Sequence, residues 1–318
     1  MTAPLLADRS TGRSPFDHPG LLYGDAGYYV GATTGFVRSA LASGDAVLVA
    51  VPGPNLALIQ DSLADVADHV TFADMAVAGR NPGRIIPGVL LAFAAAHAGR
   101  RVSIIGEPIW PDRTDLEYPA CAAHEALINA VFAGRDAAIL CPYDVSGLDE
   151  TVLEDAWRTH PVMLDSDGLR LSDRYDDPLV TAASFNLPLP APPAHAASLH
   201  YDNEMELGAV RRFVSGHAIE VLRDDDRVDD LVLAANELTA NTIEHAVGGG
   251  RIFVWAEPDY LVCQIEDRGH VADPLAGRIT PEPEADGGRG LILANQLCDL
   301  VRMHTTGEGT RFRLHMWR

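Results

Sequence analysis

The sequence predicts two domains, an α/β domain built on a parallel sheet and then an α+β domain. Over the first half of the chain, short β-branched apolar runs alternate with segments of helical periodicity, which is typical of a doubly wound parallel sheet. A proline-rich stretch at 186–198 interrupts this pattern and predicts a stiff linker. Beyond it the order changes to two helices followed by paired strands, which predicts a second domain of a different class.

The composition excludes several classes of function. The chain of 318 residues is 47% apolar and 7% aromatic, as in a globular protein, and its formal net charge is -21. A protein this acidic has no electrostatic reason to bind nucleic acid or an anionic membrane, although it can attract a basic protein surface. The chain contains no lysine, so Schiff-base chemistry and a phosphate-binding lysine are excluded.

Cysteine usage and hydropathy predict a soluble, cytoplasmic protein. The four cysteines are far apart and form no CxxC pair, so the sequence predicts neither a zinc site nor a disulfide framework. We interpret them as small buried apolar residues. Residues 1–15 predict a flexible leader without an apolar signal core, and the longest apolar stretch, near Val89–Ala98, is too short to cross a bilayer.

Residues 16–185 form the predicted α/β domain. Its buried parallel strands are predicted at Ala46–Val51, Val102–Gly106 and Ala137–Cys141. Its helices are predicted at Tyr29–Leu41, Asn55–Val66, Arg84–Ala98, Glu117–Phe132 and Asp149–Thr159. The loop after the first strand reads PGPN, which is not a P-loop. The predicted domain therefore has a RecA-like parallel sheet but lacks the phosphate-binding loop.

Residues 199–318 form the predicted α+β domain, a sandwich with helices over one face of a mixed sheet. Its helices are predicted at Glu204–Leu222, Val228–Ala246 and Arg289–Cys298. Its strands are predicted at Arg251–Glu257, Tyr260–Asp267, Leu300–His304 and Thr310–Met316.

One helix of this domain carries three polar side chains that suit a nucleotide. Glu237, Asn241 and His245 are spaced four residues apart and therefore share one face of the helix. An amide oxygen is a good ligand for Mg²⁺, and a carboxylate can orient or deprotonate an attacking hydroxyl. Taken alone, the pattern is also typical of an amphipathic helix that presents polar residues to water.

Three further motifs follow in order. Residues 266–269, EDRG, end a strand, where Asp267 can accept a hydrogen bond from a purine amine and Gly269 allows close approach of the ring. Residues 287–291, GGRGL, open a helix whose N-terminal N–H groups favour phosphate. Gly309 and Thr310 begin the last strand, where the hydroxyl can close the base pocket.

Together the four motifs resemble the N, G1 and G2 boxes and the terminal Gly-Thr of the GHKL (Bergerat) ATPases. This resemblance implies ATP and Mg²⁺ as cofactors, Asn241 as the Mg²⁺ ligand, Glu237 as the catalytic base and Asp267 as the adenine contact. It further implies that the ATP site includes His245, Gly269, Gly288, Arg289, Gly290 and Thr310.

The short second domain resembles the RsbW branch of these ATPases. That branch implies a serine/threonine-protein kinase that is also an anti-sigma factor, regulating transcription in a stress response. Its implied partners are a sigma factor and a STAS-type anti-anti-sigma protein, and a homodimer is expected. No direct contact with nucleic acid or membrane is expected.

Two departures from the family keep alternatives open. His270 and Val271 follow Gly269 where a second G1 glycine is usual, and the lid from Asp273 to Asp286 is short, with acidic residues at Glu282, Glu284 and Asp286. These departures favour a nucleotide-dependent binding switch with little kinase activity. A sensor histidine kinase is a third reading, with His217 as acceptor, but only one helix lies between the proline-rich linker and the Asn241 helix.

Segments of the first domain resemble the MEDS sensory domain, namely 16–23 (FDHPGLLY), 106–110 (GEPIW), 121–129 (CAAHEALIN) and 141–144 (CPYD). This domain before an RsbW-like domain resembles the RsbA-type anti-sigma regulators. Because ligands of open α/β sheets bind at the carboxyl ends of the strands, we expect a small-molecule sensor pocket there. Its expected residues are His18, Glu107, Trp110 and Tyr143; alternatively, Trp110 and Tyr143 cap the core, and His18 and His124 are structural histidines.

Overall fold

The computed structural model describes residues 15–281 and 288–318, which fall into two compact units. The first unit comprises the described residues up to Arg80 together with Gly88–Ala183. The second comprises Ser184–Arg318 together with the short segment Asn81–Pro87. The proline-rich stretch that the sequence predicts as a linker therefore lies within the second unit.

The helices and strands are as follows. The strands are β1 (Phe16–Asp17), β2 (Pro19–Tyr23), β3 (Ala46–Val51), β4 (Val70–Asp74), β5 (Val102–Gly106), β6 (Ala137–Asp144), β7 (Val162–Asp165), β8 (Gly168–Leu171), β9 (Ala197–Tyr201), β10 (Gly250–Ala256), β11 (Tyr260–Asp267), β12 (Leu300–Thr306) and β13 (Gly309–Trp317). The α-helices are α1 (Ala26–Ala42), α2 (Gly53–Ser62), α3 (Met75–Ala78), α4 (Pro82–Arg84), α5 (Ala92–Ala96), α6 (Tyr118–Phe132), α7 (Glu150–Thr159), α8 (Pro178–Ser184), α9 (Leu207–Leu222), α10 (Asp225–His245) and α11 (Gly290–Leu297). A π-helical segment, Ile85–Leu91, joins α4 to α5.

The first unit is built on an eight-stranded, mostly parallel sheet, as the sequence predicts. The strands run in the order β4-β3-β5-β6-β2-β7-β8, and β1 also pairs with β6. Every pair is parallel except β7 with β8, which form an antiparallel hairpin. The central strand β3 is buried along its whole length, which explains its unbroken apolar sequence.

A break at His18 shapes the middle of this sheet. Strands β1 and β2 both pair with β6, and His18 lies between them. The His18 side chain is buried at this interruption. It also brings His18 close to Cys141, which pairs with Gly20 across the two strands.

The second unit has helices α9, α10 and α11 packed on a five-stranded sheet. The strand order is β12-β13-β11-β10-β9, and every pair is antiparallel. The mixed sheet expected from the sequence is therefore wrong in this detail, because β9 adds to the edge of β10 in the antiparallel direction. The core between helices and sheet contains Leu231, Ala235 and Leu238 of α10, the face that the sequence assigns to the core.

Helix α10 begins with a side-chain cap and an acidic first turn. Asp224 accepts hydrogen bonds from the backbone N–H groups of Asp226 (3.1 Å) and Arg227 (3.3 Å). The helix ends at His245, and Ala246 is extended. This rigid helix carries the three polar side chains spaced by four residues.

The segment Asn81–Pro87 completes the end of α11 within the second unit. Asn81 caps α4 by accepting from the N–H of Gly83 (2.9 Å), and its amide nitrogen donates to the carbonyl oxygens of Asn295 (2.9 Å) and Cys298 (3.3 Å). Arg84 also donates to the Cys298 carbonyl (3.0 Å). The last carbonyls of a helix have no partner within the helix, so these contacts satisfy groups that would otherwise need water.

Among the described residues, no helix is both long and apolar enough to cross a membrane. Two expectations from the sequence fall outside the described residues. They are the flexible leader, apart from Pro15, and the acidic lid residues Glu282, Glu284 and Asp286.

Candidate nucleotide-binding site

The second unit contains a cavity of about 570 Å³ at one end of its sheet. The cavity is bounded by α10, the end of β11, the segment 269–281, the start of α11 and the start of β13. The four sequence motifs thus converge on one cavity. Its lining includes Asn241, His245, Asp267, Gly269, Gly288 and Thr310 of the predicted ATP site.

Asp267 is held in one orientation at the end of β11. Its Oδ1 accepts a hydrogen bond from the N–H of Gly269 (2.7 Å), and its Oδ2 accepts one from the hydroxyl of Thr242 (2.9 Å). An ionised carboxylate has about four acceptor positions, so these two bonds fix the group and leave acceptor capacity for a ligand. Thr242 was not predicted from the sequence, although it directly follows Asn241.

A chain of threonine hydroxyls ties β13 to the loop after β11. Thr310 donates to the carbonyl oxygen of Gly269 (2.9 Å), and its hydroxyl lies 2.7 Å from that of Thr305. Thr305 in turn accepts from the N–H of Val271 (3.0 Å). This network ties the cavity wall together and places Thr310 at the cavity.

Gly309 makes this arrangement possible. Its φ is 151°, and a Cβ at this position would lie 2.3 Å from the carbonyl oxygen of Asp267. Only a residue without a side chain can pass so close to the strand end that carries the carboxylate.

Glu237 and Asn241 lie one helical turn apart on α10, both half-buried. The first residue of α11, Gly290, packs directly against them. A Cβ on Gly290 would lie 2.9 Å from Nδ2 of Asn241 and 3.3 Å from Cβ of Glu237. Glycine therefore allows the N-terminus of α11, whose first N–H groups have no partner within the helix, to approach the two polar side chains.

The remaining predicted residues lie nearer the solvent. The side chain of His245 is 68% exposed, with Nε2 3.8 Å from Oε2 of Glu244. Gly288 adopts a positive φ of 80° and packs near Pro281, whereas Arg289 is exposed just before α11 begins.

The four predicted sensor residues occupy three different surroundings in the first unit. Glu107 is buried and bonded by the hydroxyls of Tyr29 (2.9 Å) and Tyr23 (3.2 Å) and by the amide of Asn55 (2.9 Å). Burial raises the pKa of Glu107 to about 7, although these hydrogen bonds act in the opposite direction.

Trp110 is half-buried and stacks under the guanidinium of Arg113, whose carbon lies 3.9 Å from the ring centre. His18 and Tyr143 instead flank a buried group of side chains that the sequence did not predict as a set. The ring of His160 lies 4.2 Å from that of His18 and 5.5 Å from that of Tyr143.

The buried group around His18 also contains Glu125 and Cys141. Burial lowers the pKa of His18, and the nearby His160 lowers it further, so the neutral imidazole is favoured. Burial raises the pKa of Glu125, but His160 and His18 outweigh this effect, and the pKa lies well below its usual range. Three of the segments that resemble the MEDS domain each contribute one residue to this group, which was the available sequence signal.

Two family models match the chain. Residues 17–161 match the MEDS family, described as the methanogen/methylotroph, DcmR sensory domain. Residues 201–316 match the histidine kinase-like ATPase domain. No curated protein matches the chain.

Solved structures show weaker likeness. The RsbU and RsbW domains of Rv1364c from Mycobacterium tuberculosis are 20% identical with a TM-score of 0.31, and the match covers 40% of this chain and 34% of that one. This chain thus spans about a third of the length of that structure. The Acinetobacter baumannii histidine kinase AdeS is 12% identical with a TM-score of 0.22, covering 64% of this chain and 96% of that one.

Both TM-scores lie below 0.5, so the classification of this chain rests on the two family models alone. The chain joins a MEDS sensory domain to a histidine kinase-like ATPase domain, in the order that the resemblance to RsbA-type regulators predicts.

Proposed function

We propose that this protein is an ATP-binding anti-sigma factor and protein serine/threonine kinase controlled by its N-terminal sensory domain. The proposal is supported by the convergence of four sequence motifs on one cavity within a histidine kinase-like ATPase domain. A STAS-type anti-anti-sigma protein would be the phosphate acceptor, and a sigma factor would be the sequestered partner. The net charge of -21 favours basic protein surfaces as partners and disfavours nucleic acid.

The observation that carries the proposal is the fixed carboxylate of Asp267. Its bonds to Thr242 and Gly269 orient the group, and the group faces a cavity large enough for a nucleotide. A carboxylate only accepts hydrogen bonds, so it pairs with the exocyclic amine of adenine and not with the carbonyl oxygen at the same position of guanine. The site is therefore expected to prefer ATP to GTP.

The phosphate end of the site would be formed by α10 and α11. The amide oxygen of Asn241 is a suitable ligand for Mg²⁺, and the N-terminus of α11 favours anionic oxygens. Glu237 lies one turn away and would orient the acceptor hydroxyl. Catalysis in this arrangement rests on positioning and charge stabilisation.

Calorimetric titration tests nucleotide binding. We expect the wild-type protein to bind Mg-ATP, Asn241→Ala to weaken binding, and Asp267→Asn to reduce the preference for ATP over GTP. Asp273→Asn serves as a matched control, because Asp273 also lines the cavity but its Oδ1 accepts from the N–H of Leu275 (2.9 Å). Failure of the folded wild-type protein to bind ATP would contradict the proposal.

Turnover separates the kinase from a nucleotide-dependent binding switch, the second candidate. The altered residues after Gly269 favour the switch, whereas the position of Glu237 beside Asn241 favours the kinase. If the protein is a kinase, Glu237→Gln abolishes slow ATP hydrolysis while ATP binding persists. Binding with no hydrolysis by the wild type would favour the switch.

A sensor histidine kinase is a weaker alternative. His217 lies on α9, and its Nδ1 lies 2.8 Å from the carbonyl oxygen of Phe213, as for an ordinary helical residue. Helix α9 packs on the domain core through other residues, including Val210 and Val214. Acid-labile self-phosphorylation that disappears in His217→Ala would instead support this class.

A further inference from the structure

Four side chains from separate elements meet in the interior of the first unit. They are His18 between β1 and β2, Glu125 of α6, Cys141 of β6 and His160 after α7. One donor atom from each side chain lies within 4.8 Å of the other three. Among the described residues, this group could hold a metal ion. No side chain in the group is more than 2% exposed.

Three of the six distances between the donor atoms match tetrahedral coordination, and the other three are within 4.8 Å. Nε2 of His18 lies 3.3 Å from Sγ of Cys141 and 3.5 Å from Oε2 of Glu125, and Nε2 of His160 lies 3.2 Å from the same oxygen. Zinc–nitrogen and zinc–oxygen bonds of about 2.0 to 2.1 Å and zinc–sulfur bonds of about 2.3 Å place tetrahedral ligands about 3.3 to 3.6 Å apart.

The hydrogen bonds of the two Nδ1 atoms determine which ring nitrogen of each histidine faces the centre of the group. Nδ1 of His160 lies 2.9 Å from the carbonyl oxygen of Ala156, which can only accept, so this nitrogen carries the proton. Nδ1 of His18 lies 3.0 Å from Oδ1 of Asn129, whose amide nitrogen is committed to the carbonyl of Thr159 (2.8 Å). In each neutral ring Nδ1 therefore carries the proton and Nε2 is the nitrogen available to a metal ion, as in metal-ligating histidines.

The centre of the group is otherwise unsatisfied. Within the part of the chain that the structure describes, neither carboxylate oxygen of Glu125 has a hydrogen-bond partner, and neither does Nε2 of His160. With both imidazoles neutral, lone pairs of nitrogen and oxygen face each other in the buried interior, which is costly without a cation or proton between them. One carboxylate and one thiolate would balance the charge of a divalent ion, and the two imidazoles would remain neutral.

We propose that His18, Glu125, Cys141 and His160 form a closed four-ligand site for a divalent transition metal ion, with Zn²⁺ as the best fit. The mixture of two nitrogens, one sulfur and one oxygen suits zinc better than the oxygen-preferring Mg²⁺ or Ca²⁺. All four positions are filled by protein, so the site is structural: it ties the break between β1 and β2 to α6, β6 and the end of α7. The site belongs to the first unit, whereas the nucleotide cavity belongs to the second.

Metal content and cobalt spectroscopy of the untagged full-length protein test this proposal. We expect about one zinc ion per chain after purification. Protein stripped under denaturing conditions and refolded with Co²⁺ should show intense visible bands of tetrahedral cobalt and a thiolate charge-transfer band in the near ultraviolet. A folded wild-type protein without these bands would overturn the proposal.

Variants assign the ligands. His160→Gln and Cys141→Ala should lose the metal, and Cys141→Ala should also lose the charge-transfer band. His124→Gln and Cys121→Ala are matched controls, since both are buried residues of α6 outside the group, and they should keep full metal content. Equal metal content in His160→Gln and wild type would overturn the assignment, and the wild-type cobalt spectrum decides the question if the ligand variants do not fold.

Asn129 supplies a further test, because it orients His18 without being a ligand. Asn129→Leu should weaken metal affinity by about 10- to 100-fold, which is typical of losing the outer partner of a ligating histidine. Competition with a coloured zinc chelator measures this change. An affinity equal to that of the wild type would contradict the role given to His18.

Discussion

Glu107 is a buried carboxyl group whose ionisation should affect stability. The folded-state pKa of about 7 lies above the ordinary value of 4.5, mainly because of burial and despite hydrogen bonds from Asn55, Tyr29 and Tyr23; nearby Asp144 raises it further. The unfolded chain ionises first as the pH rises, so the group's stabilising contribution is complete below about pH 4.5 and is lost as the pH rises to about 7.

Glu107→Gln isolates this effect, since glutamine does not ionise. Between pH 4.5 and 7 the variant should gain about 3 kcal/mol in free energy of unfolding relative to the wild type. Denaturant unfolding at a series of pH values measures the difference. A difference that stays constant over this range would show that Glu107 ionises normally in the folded protein.

Gly309 provides a second prediction at the residue scale. Gly309→Ala should lower the free energy of unfolding by about 1 to 3 kcal/mol, since the residue has a positive φ and the new methyl group would collide with the Asp267 carbonyl oxygen. ATP affinity should fall too, because Asp267 must move. Gly307→Ala, in the same turn with open space around it, is the control and should change stability by less than about 0.5 kcal/mol. Equal effects of the two changes would contradict this packing.

The convergence of the four motifs on one cavity was predictable because they combine local spacing with glycines that few other arrangements need. The buried group around His18 was not predictable in this way. His18 and Cys141 are 123 positions apart, and no spacing rule connects them to Glu125 or His160. Only the break between β1 and β2 brings them together, and Pro19 and Gly20 obscure that strand in the sequence.

At the scale of elements, the contact between α10 and α11 should control nucleotide binding. Gly290→Ala would push the N-terminus of α11 away from Asn241 and Glu237 and should weaken ATP binding about 10-fold or more, a loss of about 1.4 kcal/mol. Gly216→Ala, at an exposed position inside α9 with no neighbour within 4 Å, should instead stabilise the domain by about 0.5 to 1 kcal/mol and leave ATP affinity unchanged. Calorimetry and denaturant unfolding of both variants test the pair.

The elements that the sequence predicted well are those whose burial is complete. Strands β3 and β5 have the predicted bounds because both faces of each are covered, which gives continuous apolar runs. Strands β4 and β8 were missed because they are only partly buried and their sequences include polar residues. The helix expected at Arg84–Ala98 is divided, since Pro87 lies in the π-helical segment between α4 and α5.

At the scale of the whole molecule, residues 81–87 are expected to matter for the ATPase unit although they lie far from it in sequence. A fragment of residues 184–318 lacks Asn81 and Arg84 and so exposes the last carbonyls of α11. It should unfold at lower denaturant concentration than the same unit in the full chain, and Asn81→Ala in the full chain should reproduce part of the loss, about 1 to 3 kcal/mol. A fragment as stable as the intact unit would contradict this view.

Removal of residues 1–185 also tests regulation. If the sensory domain controls the ATPase domain, the affinity of the remaining fragment for a sigma factor or a STAS-type protein should differ from that of the full chain. Surface-bound partner titrated with each protein measures the two affinities. Asn81→Ala in the full chain is the control for a change caused only by the end of α11, and equal affinities would argue against control by the sensory domain.

The contribution of Asn81–Pro87 to the second unit has a consequence for folding on the ribosome. Asn81 leaves the ribosome 214 residues before its partner Asn295. At about 5 to 20 residues per second, this separation corresponds to about 10 to 40 s of translation. The short segment is therefore made well before α11, so the ATPase unit can reach its final form only after α11 has left the ribosome.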